Sequence, residues 1–124
     1  MLKRYSLFIA IIYSIALTIL SLITISGIPD IGISFGDKIF HFLAYYILTL
    51  VWFYALFTKF NFKKNKAILY AAIFSMIFGI VIELLQGSIT TSRHSDVYDA
   101  IANTLGVVIA VLVLFLNNKI QVKN

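Results

Sequence analysis

The stretch YSLFIAIIYSIALTILSLITISGIP, residues 5–29, contains no charged side chain. Roughly 20 apolar residues in a helix cross the hydrocarbon core of a bilayer, so this run is long enough to span one. Three similar runs follow. Ile39–Thr58 has His41 and tyrosines as its only ionisable groups, residues 67–86 carry charge only at Glu83, and Ala100–Asn118 is uncharged throughout. In lipid each run has to close its backbone hydrogen bonds within itself, and four strands could not close a barrel. The sequence therefore predicts an all-α integral membrane protein, a four-transmembrane-helix bundle with helices near 5–28, 38–58, 67–86 and 96–117.

Composition points the same way. The chain of 124 residues is 61% hydrophobic and 12% charged, against about 25% charged in soluble domains. Its mean hydropathy is +0.99. Residues 1–124 read as one domain, since the length leaves no room for two. There is no cysteine, which excludes disulfides and thiolate metal sites. Lys3 and Arg4 before an apolar run also suit a signal peptide, but the run is too long for an h-region and lacks a cleavage site of the A-x-A kind.

The net charge of +5 does not indicate nucleic acid, because the basic residues stand in three short clusters between apolar runs. These are Lys3 and Arg4, then KFNFKKNK at 59–66, then Lys119 and Lys123. With four spans all three fall on one face, and the positive-inside rule makes that face, and both termini, cytoplasmic. Tyr5, Trp52, Tyr54 and Tyr70 sit near the inner interface of this arrangement, and Tyr98 near the outer one. The basic clusters then need only the anionic inner leaflet as partner.

The remaining polar residues gather in the outer half. Asp37 and Lys38 begin the second helix, with His41 and Tyr45 continuing the Asp37 stripe at four-residue steps. Glu83 and Gln86 lie near the outer end of the third helix. Asp96, Asp99, Asn103 and Gly106 share one face of the fourth, which follows TTSRHSDVYDAIANTLG, residues 90–106. His41, Glu83, Asp99 and Asn103 are thus expected at similar depth on three helices, and no comparable polar residues are expected in the inner halves. Facing lipid, each would cost a few kcal/mol, so an interior or a water-filled cleft is expected. Lys38 and Arg93 also suit snorkelling anchors, and Asp96 a helix N-terminus. His94 reads as a solvated loop residue.

Asp37, Glu83, Asp96 and Asp99 outnumber Lys38 and Arg93 by two. A protonated His41, a neutral carboxylic acid or a bound cation would settle the balance. The first two suit acid–base chemistry, which makes His41, Glu83 and Asp99 candidate catalytic groups. Asp37, Lys38, Tyr45, Gln86, Arg93, Asp96 and Asn103 are candidate ligand contacts. The spacing matches no metal motif, and no cofactor is expected.

DKxxHFxAY at 37–45, ExxQ at 83–86 and RxxDxxDxxxNxxG at 93–106 occur in an order that resembles the VanZ-like family of small bacterial membrane proteins. The resemblance covers helices two to four, while the first helix matches only as an apolar span. It implies a multi-pass protein of the bacterial cytoplasmic membrane with a role at the cell envelope. The family is named for a protein linked to teicoplanin resistance, but brings no settled reaction. The chain departs from the pattern in lacking a proline before Arg93, and in Val107 and Ala110 where glycines often follow Gly106.

The leading expectation is a site that binds, and with proton transfer acts on, an envelope component such as a lipid headgroup, cell-wall precursor or glycopeptide. A structural or assembly subunit is the alternative. A proton-coupled exporter fits less well, because its essential carboxylate belongs mid-membrane in the first helix. A membrane phosphatase fits poorly, because His94 directly adjoins Arg93 and no separate phosphate clamp is present.

Overall fold

The computed structural model describes residues 2–22, 34–89 and 97–117, with side chains from 4–21, 39–85 and 100–117. These residues form helices α1 (Leu2–Leu22), α2 (Ser34–Tyr54), α3 (Lys64–Ile89) and α4 (Val97–Leu116). Among the described residues there is no strand. Arg4–Ser21, Ile39–Lys59 and Lys64–Leu85 are each long and apolar enough to cross a membrane, and Ala100–Leu116 is a shorter apolar helix.

The bundle is inside-out relative to a water-soluble protein. Large apolar side chains point outward: Phe8, Ile15 and Ile19 on α1, Leu69, Ile77 and Leu84 on α3, Leu112 and Leu116 on α4. Small ones point inward at helical spacing. On α3 the buried face runs Ala67, Ala71, Ser75, Gly79 and Glu83, one residue every four. Small side chains let helix backbones approach, and that approach is the main source of packing energy where lipid supplies no hydrophobic drive between helices.

Helix α2 is the centre of the bundle, packing most extensively on α4 and also on α3 and α1. Helix α1 packs on α2, on the turn that follows it and on α3. The α2–α4 seam is close-packed at Gly106. A Cβ placed there would collide with the Phe42 carbonyl oxygen and stand 3.0 Å from the Tyr46 nitrogen. Two apolar clusters flank this seam. One joins Leu17, Ala44, Tyr45, Leu48 and Val107, the other Phe53, Ala67, Ile68, Ala71 and Leu114.

Helix α2 does not end as a regular helix. Ala55–Lys59 widens into a π-helical turn, and Phe60 N–H donates to the Ala55 carbonyl at 3.4 Å. Asn61 then takes φ 57°, a left-handed conformation that asparagine tolerates better than most residues. The chain reverses there, and α3 starts at Lys64, earlier than the apolar pattern from residue 67 suggests.

The reason for the early start is Lys64 itself. It is buried, and its Nζ donates to the carbonyls of Phe115 (3.4 Å) and Asn117 (3.2 Å) at the end of α4. A cation there satisfies carbonyls that have no helical partner and complements the helix dipole. One member of the KFNFKKNK cluster is therefore a helix clamp, while Lys59, Lys63 and Lys66 are exposed. Lys66 Nζ lies over the rings of Phe62 (4.8 Å) and Tyr70 (5.7 Å).

Gly106→Ala is expected to destabilise the bundle by about 1–3 kcal/mol, the usual range for overpacking, because backbone rather than a movable side chain blocks the methyl. Unfolding of the purified protein in detergent, compared with the wild type, checks this.

Candidate functional site

Three helices meet at Gly79. A Cβ built there would lie 3.1 Å from Tyr45 Cε2 of α2 and 3.4 Å from Asn103 Nδ2 of α4. The glycine thus leaves room for one polar side chain from each neighbour. Tyr45 is fully buried, and Asn103 is 5% exposed. This contact fixes the relative level of the helices.

One turn further from the Lys64 end, about 6 Å along each axis, the next residues on the same faces are His41 on α2 and Glu83 on α3. Both are buried, at 2% and 8% exposure. Because α2 and α3 run antiparallel, the four-residue steps from Tyr45 back to His41 and from Gly79 on to Glu83 lead toward the same end. An imidazole and a carboxyl therefore stand at one level, one turn beyond the Gly79 crossing. The His41 ring also meets Phe40 edge-on, with centroids 5.7 Å apart. The structure buries His41, Tyr45, Glu83 and Asn103, and brings Tyr45 and Asn103 together at Gly79.

The other candidates are known only in part. Asp37 and Lys38 lie in the first turns of α2, Gln86 in the last turn of α3 and Asp99 in the first turn of α4, but their side chains are outside the described residues. Asp99 precedes Asn103 by one turn, so its backbone is level with His41 and Glu83. Arg93, His94 and Asp96 lie outside the described residues altogether. Among the described residues no three His, Asp or Glu side chains form a group that could hold a metal.

The expectation that the inner halves carry no comparable polar residues needs correcting. A hydroxyl seam continues from the site toward the Lys64 end. Thr49 donates to the Tyr45 carbonyl (2.9 Å), and its Oγ1 is hydrogen-bonded to Ser75 Oγ at 3.0 Å across α2 and α3. On the α1 side, Tyr13 OH donates to the Ala44 carbonyl (2.6 Å), and Trp52 Nε1 donates to Ser14 Oγ (2.9 Å). Ser14 in turn donates to the Ala10 carbonyl at 2.8 Å. Bonding to the carbonyl four residues back removes most of the desolvation cost of a hydroxyl, so such residues do not interrupt an apolar run. The four-residue ladder of Ala67, Ala71, Ser75, Gly79 and Glu83 was the signal for α3's share of this seam.

Residues 3–118 match the VanZ/LLP1 family model, and the chain belongs to that family. An uncharacterized protein of Schizosaccharomyces pombe, C11E3.10, is 29% identical over 91 residues, covering 73% of this chain and 54% of its own length. The chain thus spans about half the length of the curated relative it matches. No solved structure matches the chain.

A double-mutant cycle with Thr49→Val and Ser75→Ala should give a coupling of about 0.6 kcal/mol, the mean found between membrane helices. Unfolding equilibria of the two single variants and the double variant in bicelles measure it.

Proposed function

We propose that this VanZ/LLP1 protein is a four-span protein of the bacterial cytoplasmic membrane with both termini in the cytoplasm. In this reading its outward end binds a lipid-borne component of the cell envelope. The observation that carries the reading is the burial of His41, Glu83 and Asn103, on three helices, around the Tyr45–Gly79 contact. Ionisable groups at such a depth are costly in a membrane and typically line a path or a ligand site.

The orientation is supported by Arg4, Lys59, Lys63 and Lys66, which stand exposed at the end opposite the site. In this reading they meet anionic headgroups of the inner leaflet, and the site faces the outer leaflet. Lys38 and Arg93 neutralise the anionic headgroup of the ligand, with Asp37, Gln86 and Asp96 at the rim. His41, with Glu83 or Asp99 as its carboxylate partner, supplies a proton donor and acceptor beside the bound group. Asn103 and Tyr45 form the floor.

Lipid headgroups, wall precursors and glycopeptides all offer suitable polar chemistry. The fungal relative favours the lipid, because a fission yeast builds no peptidoglycan and presents no glycopeptide target. Teicoplanin resistance is then a property of some members rather than the shared activity.

Titration of the purified protein with labelled phospholipids should give saturable binding that His41→Ala and Asp99→Asn each weaken by about tenfold, the loss of roughly one strong polar contact. Unchanged binding in both variants sinks the proposal. The absence of cysteine also makes the topology directly measurable. Arg93→Cys should react with an impermeant maleimide on intact cells, and Lys63→Cys only after permeabilisation.

A further inference from the structure

The end of the bundle where α2 turns into α3 carries positive charge with no carboxylate beside it among the described residues. Arg4, Lys59, Lys63 and Lys66 are exposed there, and α3 has no acidic residue in its first turn. The five acidic residues of the chain stand at positions 30, 37, 83, 96 and 99. Glu83, the one carboxylate among the described side chains, lies about 25 Å along α3 from Lys66. That is well beyond the screening length of about 8 Å in physiological salt. The anion that balances these lysines therefore comes from outside the bundle.

Two of the lysines are arranged as a pair. Ala67 N–H donates to the Lys63 carbonyl at 2.8 Å, so Lys63 is in helical register with Lys66, three residues on. Side chains at that spacing leave a helix as neighbours. Lys66 Nζ is held over the rings of Phe62 and Tyr70, at 4.8 and 5.7 Å from their centroids, and the two rings meet edge-on at 5.6 Å. Ring faces attract an ammonium without neutralising it. The cation is thus positioned and still unbalanced.

The surface beyond this pair decides which anion fits. Tyr70, Ile73 and Ile77 continue the Lys66 face of α3 at helical spacing, and all three are exposed. Along this face two cations give way to an aromatic ring and then to an aliphatic stripe. A glycerophospholipid presents its groups in the same order: phosphate, glycerol, acyl chain. An acidic peptide or a nucleic acid would use the lysines and leave the stripe uncovered. A zwitterionic lipid brings its own cation to the lysines, whereas a net anionic one does not.

We propose that Lys63 and Lys66, backed by Phe62 and Tyr70, bind the phosphate of an anionic glycerophospholipid whose acyl chain lies along Tyr70, Ile73 and Ile77. This is a second lipid site, at the end opposite His41 and Glu83. It takes from the reading above only the leaflet that supplies the lipid.

The test is native mass spectrometry of the full-length protein in detergent, offered phosphatidylglycerol and phosphatidylcholine with the same acyl chains. The wild type should prefer phosphatidylglycerol. Lys63→Gln with Lys66→Gln should weaken that binding by about 25-fold, about fivefold for each lysine. Phosphatidylcholine binding should stay as it was, which also shows that the variant is folded. Arg4→Gln with Lys59→Gln removes the same charge and should cost no more than about fivefold. Equal losses in the two double variants mean diffuse charge rather than a site, and overturn the proposal. So does displacement of phosphatidylglycerol by an equal concentration of a glutamate-rich peptide, which assigns a protein partner. His41→Ala should leave the preference unchanged. If that variant abolishes it, the anionic lipid sits at the outward end, so this proposal falls and the reading above stands. If the Lys63 and Lys66 dependence holds while no binding depends on His41, the reading above falls and this proposal stands.

Discussion

The close approach of α4 to α2 at Gly106 is the constraint on which the rest of the bundle depends. With no side chain at that position, the α4 backbone rests against Phe42 and Tyr46. Asn103 stands one turn away on the same side of α4, and reaches the Tyr45–Gly79 contact only because the helices are this close. Any larger residue would hold α4 off by the thickness of a methyl group or more, and the third wall of the site would withdraw. Where lipid surrounds a bundle it gives no drive to press helices together, and shape has to do so.

Gly79 plays the complementary part on α3. Gly106 removes a side chain to bring backbones together, whereas Gly79 removes one to admit the side chains of two neighbours. The result is a crossing of three helices at which a tyrosine ring and an asparagine amide share the space beside one glycine. The hydroxyl seam below, through Thr49 and Ser75, continues this polar line without charge. Polarity along the α2–α3 interface thus falls in steps, from carboxyl and imidazole to phenol and amide to hydroxyl, and then to the alanines Ala71 and Ala67.

Much of this was legible in the sequence. Uncharged runs of span length fixed four helices, because chain length against bilayer thickness is a one-dimensional argument. His41, Tyr45, Glu83 and Asn103 were readable as inward-facing from spacing and antiparallel order, and all four are buried. Three features were not legible. The π-helical turn at Ala55–Lys59 and the left-handed Asn61 arise from how the chain reverses, and no apolar period records that. Lys64 read as one of four equivalent lysines, because its role depends on where α4 ends, 51 residues later. The hydroxyl seam was hidden because serine and threonine bonded to their own helix look like small apolar residues.

The Lys64 clamp has a consequence for the order of assembly. Its two acceptors are carbonyls at the far end of α4, the last of the described helices to leave the ribosome. Until α4 seats, Lys64 lacks these two acceptors. Docking of α4 then does two things at once: it supplies carbonyl acceptors to Lys64 and brings Asn103 to Gly79. A chain whose α4 has not docked therefore holds His41 and Glu83 without Asn103 beside Gly79.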